Sequence, residues 1–292
     1  MKLIYGKKIA DGIYAGLDKK IKNLARHKIQ PKMVTVLVGD DPASIVYVNN
    51  KIAMARKLGL GAEIIRMPKN STTAKVVQVV QKICADKKVN GVLVQLPLPK
   101  QINTPEVLRT LSPEKDIDGF HAYNLGKLVV GFEDLPPATP AGIISLLDYK
   151  KTKLEGKDIV IVGASIVVGK TLAIMLINRG ATVTICNDKT KNLAHITSRA
   201  DILISATGVA KIIKARYVKK GAFVIDVGFS RDKKGKLCGD VDLNSVKKKV
   251  GYLTPVPGGV GLMTIATLLK NLLHATERQH GLAKTYGNIS EK

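Results

Sequence analysis

The chain has 292 residues, enough for about two domains that bury their own cores without disulfides or metals. Hydrophobic residues make up 45% of it, and no apolar run reaches the roughly 18 residues of a spanning helix, so we expect a soluble protein without a membrane partner. The net charge of +24 would attract phosphates, polycarboxylates or nucleic acid, but it does not identify a partner.

The N-terminus and the cysteines both indicate a reducing compartment. The first apolar residues are followed at once by Lys7 and Lys8 and then by Asp11, which fits neither a secretory nor a transit peptide. We therefore expect a cytoplasmic protein. The cysteines are too few and too far apart for a metal knuckle or a disulfide framework, so buried thiols and no metal site are expected at Cys84, Cys186 and Cys238.

The first half of the chain alternates between helical and strand patterns. Apolar residues recur every three or four positions over residues 8–27, which predicts an amphipathic helix. Short β-branched runs predict strands at Met33–Val38, Glu63–Met67 and Gly91–Leu96, with helical stretches between them. This βαβαβ order is typical of a parallel sheet covered by helices.

A proline-rich break at Asp134–Pro140 separates this half from a second alternating half. Thr139 as N-cap and Pro140 at the first helical position predict a new helix. Strands are then predicted at Asp158–Gly163, Thr182–Cys186, Ile202–Ser205 and Phe223–Gly228. The last helix, Thr264–Gln279, has no following strand to cover and is expected to pack back on the first unit.

Gly163 and Gly169 enclose a strand-to-helix turn of the kind that can bind a dinucleotide pyrophosphate. The segment does not match G-x-G-x-x-G, so an ordinary turn remains the alternative. Asp188 follows the next predicted strand, where a carboxylate could accept hydrogen bonds from a ribose diol. As a single residue, Asp188 also fits a simple turn.

Tyr47 and Lys51 are four residues apart on a predicted helix and so project from one face. A tyrosine ring can stack on a flat heterocycle, while a desolvated lysine can act as an acid or a base. Most such pairs are merely solvated, so spacing alone leaves both interpretations open.

Two further positions carry polar groups where a ligand could bind. Gln95 follows an apolar strand, and the carboxyl ends of strands line ligand crevices in open α/β sheets. Asp116 and Asp118 would point the same way in an extended segment, and one could accept paired N–H donors from an aminopyrimidine-type ring. A loop with a helix cap is the alternative for this acidic pair.

The segment Pro255–Gly261 is too apolar and too rich in glycine for an ordinary surface loop. Glycine permits close approach of the backbone to a ligand, and successive amides can form an anion nest. A hinge or tight turn into the last helix explains the segment equally well.

Four segments together resemble the bifunctional methylenetetrahydrofolate dehydrogenase/methenyltetrahydrofolate cyclohydrolase family over nearly the whole chain. They are Ser44–Lys51, Gly91–Pro99, Pro113–Phe120 and Tyr252–Gly261. The resemblance implies NAD(P)-dependent oxidation of 5,10-methylenetetrahydrofolate, followed by hydrolysis of the methenyl product to 10-formyltetrahydrofolate. It also implies two domains sharing one cleft, a folate-binding catalytic domain of residues 1–138 plus 263–292 and a Rossmann-type NAD(P)-binding domain of residues 139–262.

The resemblance also implies roles for individual residues. Lys51 would be the catalytic residue of the hydrolytic step, Gln95 would tune Lys51, Tyr47 would stack on the folate, and Asp118 would hold the pterin edge. The other folate-binding residues would be Val94, Leu96, Pro257, Gly258, Gly259, Val260 and Gly261. The dinucleotide would be bound by Gly163, Ala164, Ser165, Val168, Gly169, Asp188, Thr207, Gly208, Gly228 and Phe229.

Two departures from the family pattern bear on the choice between NAD and NADP. Ala164 stands where members commonly carry an arginine near a 2′-phosphate, and Asp188 stands where a serine often helps to hold that phosphate. A carboxylate there would repel the phosphate, which favours NAD, although Lys189 and Lys191 could compensate.

The family resemblance implies a homodimer, and the basic surface suits a folate with a polyglutamate tail. Two alternatives stay open: a monofunctional NAD-dependent dehydrogenase, and a basic nucleic-acid-binding α/β protein. The second is disfavoured because the charge is dispersed and aromatic residues, at 4% without tryptophan, offer little for stacking bases, so no nucleic-acid partner is expected.

Overall fold

The computed structural model describes residues 1–232 and 235–283. The chain divides into two compact units. We call Ile13–Ala138 with Thr267–Lys292 the N-terminal unit, and Met1–Gly12 with Thr139–Ala266 the C-terminal unit. Residues 284–292, which the sequence assigned to the first domain, lie outside the described residues.

Strands and helices alternate along most of the chain. The strands are β1 (Lys2–Leu3), β2 (Lys32–Val38), β3 (Gly61–Met67), β4 (Gly91–Val94), β5 (Asp158–Val162), β6 (Thr182–Cys186), β7 (Ile202–Ser205), β8 (Phe223–Asp226), β9 (Ser230–Arg231), β10 (Leu237–Cys238) and β11 (Tyr252–Leu253). The helices are α1 (Gly6–Arg26), α2 (Pro42–Lys57), α3 (Thr73–Ala85), α4 (Thr104–Arg109), α5 (Ala122–Val129), α6 (Ala138–Tyr149), α7 (Gly169–Ile177), α8 (Leu193–Thr197), α9 (Leu243–Val246) and α10 (Val260–Gln279).

The N-terminal unit contains a three-stranded parallel sheet in the order β3-β2-β4. The central and last strands are continuous apolar runs that are almost fully buried, as expected for a parallel sheet with helices on both faces. The βαβαβ prediction is therefore confirmed. Because β2 and β4 run in parallel, residues that follow them emerge at the same edge of the sheet.

The C-terminal unit contains a six-stranded sheet in the order β1-β11-β8-β7-β5-β6, with parallel pairing throughout. A helix follows β5 and another follows β6, which is the doubly wound arrangement that the sequence predicts. A short antiparallel pair, β9 with β10, lies beyond β8. The two α/β units expected from the sequence are thus confirmed.

The N-terminal strand is the largest difference from the predicted domain boundaries. Lys2 and Leu3 pair with Tyr252 and Leu253 in the sheet of the C-terminal unit. The sequence analysis placed this segment in the first domain, because two residues are too few to produce a recognisable strand pattern. The second boundary also differs, since the C-terminal unit extends to Ala266 rather than 262.

Several element ends also differ from the sequence predictions. Thr139 is not an N-cap, since α6 already begins at Ala138, and the Thr139 hydroxyl instead forms a hydrogen bond with that of Thr264 at 3.1 Å. The last helix begins four residues before Thr264, at Val260, despite the nearby glycines. The strands predicted to end at Leu96 and Gly228 end two residues earlier, at Val94 and Asp226.

The last helix packs back on the N-terminal unit as predicted. Asn271 donates hydrogen bonds to the carbonyls of Ile117 and Pro136, both at 2.9 Å. Glu277 pairs with Lys20 of α1.

Three general expectations can be compared with the structure. No helix in the described part of the chain has the length and apolar character to cross a membrane, and the same residues contain no cluster of ligating side chains suited to a metal ion. All three cysteines are free thiols, but only Cys186 is fully buried. The expectation of buried thiols is therefore wrong for Cys84 and Cys238, which are partly exposed.

Candidate active site

Lys51 lies in the interior of the N-terminal unit. Asp41 caps α2 by accepting a hydrogen bond from the Ser44 backbone N–H at 2.8 Å, and Pro42 occupies the first turn. Two and a half turns later the helix turns Lys51 inward, where only 4% of the residue is exposed. Its ammonium nitrogen lies 6.0 Å from the centroid of the Tyr47 ring, so the predicted shared helix face is confirmed.

Gln95 joins Lys51 from the neighbouring sheet. The Lys51 ammonium donates a hydrogen bond to the Gln95 Oε1 at 3.2 Å. The Gln95 backbone N–H still bonds to Val36 of β2, and its side-chain amide donates to the Leu96 carbonyl at 2.6 Å. Because both ends of the side-chain amide are engaged, the carbonyl oxygen is oriented toward Lys51.

Burial dominates the electrostatics of this group. Desolvation lowers the pKa of the Lys51 ammonium, while the negative charge of Asp118 acts in the opposite direction. Desolvation raises the pKa of Asp118, the charge of Lys51 lowers it, and the charge of Asp116 raises it further. Burial also raises the pKa of the Tyr47 hydroxyl, which keeps the ring neutral at physiological pH. The burial of Lys51 therefore favours its neutral form more than water would favour that of an exposed lysine.

The two acids of the Asp116–Asp118 segment have different environments. Asp116 is 1% exposed and accepts hydrogen bonds from the backbone N–H groups of Gly119 and His121 at 3.1 and 2.7 Å. Its carboxylate thus shapes the loop before α5, which is the structural alternative left open by the sequence. Asp118 is close enough to Lys51 for each charge to shift the pKa of the other.

Asn124 and Asn271 are two residues that the sequence reasoning missed. Asn124 donates to Asp116 Oδ2 at 3.0 Å and to the Pro113 carbonyl at 2.9 Å. Asn271 binds the Ile117 carbonyl from the other side. Both support the backbone that carries Asp118. The only sequence signal was an asparagine at a position where the apolar periodicity of a helix predicts a buried residue.

A second missed group lies around Asp134, and we call it the Asp134 cluster. Its carboxylate contacts the His274 Nε2 at 2.8 Å, the Lys127 ammonium at 2.9 Å and the Arg278 guanidinium. Although burial opposes ionisation, these donors together hold the pKa of Asp134 well below its usual range. The Asp134 cluster fastens the loop after α5 to α10 and keeps both within the N-terminal unit.

The turn predicted to hold a pyrophosphate forms a tight backbone cradle in the C-terminal unit. Gly163 has a φ of +114°, and a side chain there would collide with the Ala206 carbonyl. A side chain at Gly169 would collide with the carbonyl of Gly163. No side chain caps the start of α7 at Val168. The chain therefore fits a dinucleotide pyrophosphate, because backbone lines this turn and the N-terminus of a helix points into it.

Ala164 and Asp188 lie where cofactor choice was expected to be decided. Ala164 is partly buried in the turn, and the neighbouring Ser165 accepts a hydrogen bond from the Val168 N–H at 3.3 Å. Asp188 is exposed two residues beyond β6, and the Lys189 ammonium lies 3.1 Å from its carboxylate. The nearest cation is thus already paired with the acid that would repel a phosphate.

The remaining predicted cofactor residues follow β7 and β8, two adjacent strands of the sheet. Thr207 and Gly208 lie two and three residues after the end of β7, and Gly228 and Phe229 lie two and three residues after the end of β8. The Ser230 hydroxyl links the two loops by donating to the Gly208 carbonyl at 2.7 Å. The structure therefore brings these four residues together at the carboxyl edge of the sheet.

The loop Pro255–Gly259 packs against the start of α1, within the C-terminal unit. Gly6 donates a backbone hydrogen bond to Gly258 at 2.8 Å, and a side chain at Gly6 would collide with the Gly259 carbonyl. Gly258 has a φ of +101°. The close backbone contact between Gly6 and this loop therefore explains part of its glycine content. It agrees with the tight turn into the last helix that the sequence left open as an alternative.

Comparison with known families decides the identity of the chain. Residues 4–118 match the family described as tetrahydrofolate dehydrogenase/cyclohydrolase, catalytic domain. Residues 137–280 match the NAD(P)-binding domain of the same family. The chain belongs to the tetrahydrofolate dehydrogenase/cyclohydrolase family.

Relatives agree along almost the whole length of the chain. The bifunctional protein FolD of Nitrosospira multiformis is 47% identical over 98% of this chain and 99% of its own. The crystal structure of FolD from Campylobacter jejuni superposes with a TM-score of 0.91 at 41% identity, over 95% of this chain and 99% of that one. FolD from Trypanosoma brucei, solved with NADP and an inhibitor, has a TM-score of 0.90 at 32% identity, covering 94% and 97% of the two chains.

Membership in the dehydrogenase/cyclohydrolase family confirms the resemblance found in the sequence. The chain combines an oxidoreductase and a hydrolase of one-carbon folate metabolism, with an NAD(P)-binding C-terminal unit. Within the N-terminal unit, the predicted residues Tyr47, Lys51, Gln95 and Asp118 form one group. The predicted folate contacts at Pro257–Gly261 belong to the C-terminal unit, so their contribution to the same site remains a prediction.

Proposed function

We propose that Lys51 transfers the protons in the hydrolysis of 5,10-methenyltetrahydrofolate to 10-formyltetrahydrofolate. The observation that carries this proposal is the buried Lys51 ammonium held 3.2 Å from Gln95. Because desolvation lowers its pKa, the neutral form that can accept a proton from water is more accessible than in an exposed lysine. Water then adds to the methenyl carbon, and the resulting ammonium returns the proton to the leaving nitrogen as the carbon–nitrogen bond breaks. The hydroxyl of the adduct loses its own proton as the formyl C=O forms, so one proton is released to solvent overall. A neutral lysine is favoured beside the methenyl bridge, because the bridge is itself cationic and would repel an ammonium.

The other residues of the group would position the folate. The Tyr47 ring would stack on it, and the Asp118 carboxylate would hold the pterin edge through paired N–H donors. Val94 and Leu96 flank Gln95 and would provide apolar contacts. The backbone of Pro257, Gly258, Gly259, Val260 and Gly261 would provide further folate contacts.

The dehydrogenase step would use the backbone cradle of the C-terminal unit. A bound nicotinamide would supply the hydride acceptor for the one-carbon bridge of 5,10-methylenetetrahydrofolate, which no side chain can provide. Hydride transfer requires contact between the two reactants, and proximity would supply most of the acceleration. Gly163, Ala164, Ser165, Val168 and Gly169 would contact the pyrophosphate. The ribose and nicotinamide side would involve Asp188, Thr207, Gly208, Gly228 and Phe229.

We further propose that NAD is preferred over NADP. Ala164 offers no cation to a 2′-phosphate, and the carboxylate of Asp188 is exposed where that phosphate would lie. The pairing of Lys189 with Asp188 supports this preference, because the lysine would have to leave its partner to bind the phosphate. Because an ion pair between exposed side chains contributes little free energy, we expect kcat/KM to favour NAD over NADP by about tenfold, and we do not expect NADP to be excluded.

We also propose a cytoplasmic homodimer that accepts polyglutamylated folate, whose carboxylates suit a chain with a net charge of +24. Sedimentation of the purified protein tests the dimer. Comparing KM for mono- and polyglutamylated folate at two salt concentrations tests the charge argument, because a salt-independent ratio near one would contradict it.

The experiment that tests the two activities measures them separately in the purified protein. Formation of the methenyl product is followed with each dinucleotide, and hydrolysis of supplied methenyl folate is followed without any dinucleotide. Both activities are expected. Hydrolysis no faster than in buffer would overturn the role of Lys51, and equal kcat/KM for the two dinucleotides would overturn the NAD preference.

A further inference from the structure

Two buried carboxylates, Asp226 and Asp240, lie beneath the loops that follow β7 and β8. Asp226 is the last residue of β8 and is 3% exposed, while Asp240 follows β10 and is fully buried. Neither belongs to the Lys51 group or to the residues that the sequence predicted for the cofactor. Buried carboxylates are costly unless they are hydrogen-bonded, so their presence here calls for a role.

Asp226 binds the backbone of its own loop and of the segment that carries Asp240. Asp226 Oδ1 accepts hydrogen bonds from the N–H groups of Gly228 and Asp240, both at 2.9 Å. Its Oδ2 accepts from the N–H of Val241, also at 2.9 Å. The end of β8 and the segment after β10 are thereby locked together.

Asp240 extends this lock to the loop after β7. Its Oδ2 accepts from the Ser205 hydroxyl at 2.8 Å and from the Thr207 N–H at 2.6 Å. Its Oδ1 is buried and has no hydrogen-bond partner among residues 1–232 and 235–283. A side chain at Gly228 would collide with that oxygen. The arrangement therefore requires glycine above the acid and leaves one acceptor unsatisfied, a cost that is usually kept only where a site needs it.

We propose that Asp226 and Asp240 are positioning residues for the dinucleotide, because together they fix the loops that present Thr207 and Gly228. This inference rests on the proposed cofactor-binding role of those loops. Neither acid would contact the dinucleotide. Their effect would be to hold two backbone segments at the spacing that the bound molecule needs.

The test measures dinucleotide affinity directly, through the fluorescence change of the reduced dinucleotide on binding. In Asp240→Ala, we expect the Kd to rise by at least tenfold, because the Thr207 N–H and the Ser205 hydroxyl lose their acceptor. Asp240→Asn keeps a carbonyl acceptor and should recover most of the affinity. Asp242→Ala is the matched control, since Asp242 is two residues away and caps α9.

Hydrolysis of methenyl folate separates positioning from general damage, because that step uses no dinucleotide. It should stay within twofold of the wild-type rate in Asp240→Ala. A Kd within twofold of wild type, or equal losses in binding and hydrolysis, would overturn the proposal.

If Asp240→Ala does not fold, Ser205→Ala decides the question by removing a single donor to the same oxygen. We expect its Kd to rise about threefold, and an unchanged Kd would overturn the proposal. Failure of the proposed function would give a different result from failure of this proposal. The wild-type protein would then turn over neither methylene- nor methenyltetrahydrofolate, whatever dinucleotide affinity the variants show.

Discussion

Replacement of Lys51 by arginine separates a catalytic proton transfer from a purely electrostatic role. Arginine keeps the positive charge near Gln95 and Asp118, but it remains protonated at any working pH. Methionine removes the charge while filling a similar volume. If Lys51 accepts and returns a proton, both variants should lose hydrolysis to the same extent.

The expected size follows from the geometry around Lys51. A positioned acid or base contributes about 10²- to 10⁴-fold, which corresponds to about 3–5 kcal/mol of barrier. The upper half of this range is expected, because Lys51 is only 4% exposed and Gln95 orients its ammonium. The dehydrogenase step should fall by less than about tenfold, because hydride transfer takes no proton from Lys51.

The assay follows the loss of methenyl absorbance without dinucleotide, and the formation of methenyl with it. Lys57→Met, an exposed lysine in the last turn of the same helix, is the matched control. Far-ultraviolet circular dichroism and a thermal melt verify that each variant folds. Hydrolysis by Lys51→Arg above a tenth of the wild-type rate would refute proton transfer by Lys51.

Three further changes test other parts of the structure. Asp134→Asn should lower the free energy of unfolding by about 2 kcal/mol at pH 7, because charged hydrogen bonds are lost. Since the pKa of Asp134 is depressed in the folded state, the difference between the variant and the wild type should shrink as pH falls below about 4. Urea titrations that show the same difference at every pH would contradict this prediction. Gly169→Ala should abolish dinucleotide binding while leaving methenyl hydrolysis intact, because a side chain collides with the cradle, and unchanged affinity would reject the cradle. The double change Ala164→Arg and Asp188→Ser should shift kcat/KM toward NADP by at least tenfold, and no shift would show that the 2′ pocket lies elsewhere.

The sequence predicted the sheets well because their signal is local. The strands β2 to β8 are short apolar or β-branched runs, and each was recognisable by itself, whereas the two-residue strand β11 was not predicted. The short strand β1 was missed because its stability comes from pairing with β11 rather than from its own two residues. The start of α10 was placed four residues late for a related reason, since its first residues, Val260 and Gly261, read locally as part of a glycine-rich loop.

Within the site, residues with unusual chemistry at fixed spacing could be found, and residues that support them could not. Tyr47 and Lys51 were visible from helix periodicity, and Gln95 from an amide after an apolar strand. Asn271 acts on a backbone more than 130 positions earlier in the chain, so nothing in its neighbourhood indicated its partner. The role of Asp240 could not be predicted for the same reason, because Ser205 and Thr207, which it binds, lie more than 30 positions earlier in the chain.

The pairing of Lys2 with Tyr252 has a consequence for biosynthesis. After its synthesis, strand β1 must wait for its neighbour until about 250 more residues have been made, which takes roughly 12–50 s at the usual 5–20 residues per second. During that time the growing C-terminal unit has a sheet with an unfilled outer position. A fragment starting at Thr139 would keep that vacancy permanently, with the ladder groups of β11 available to any stray extended peptide.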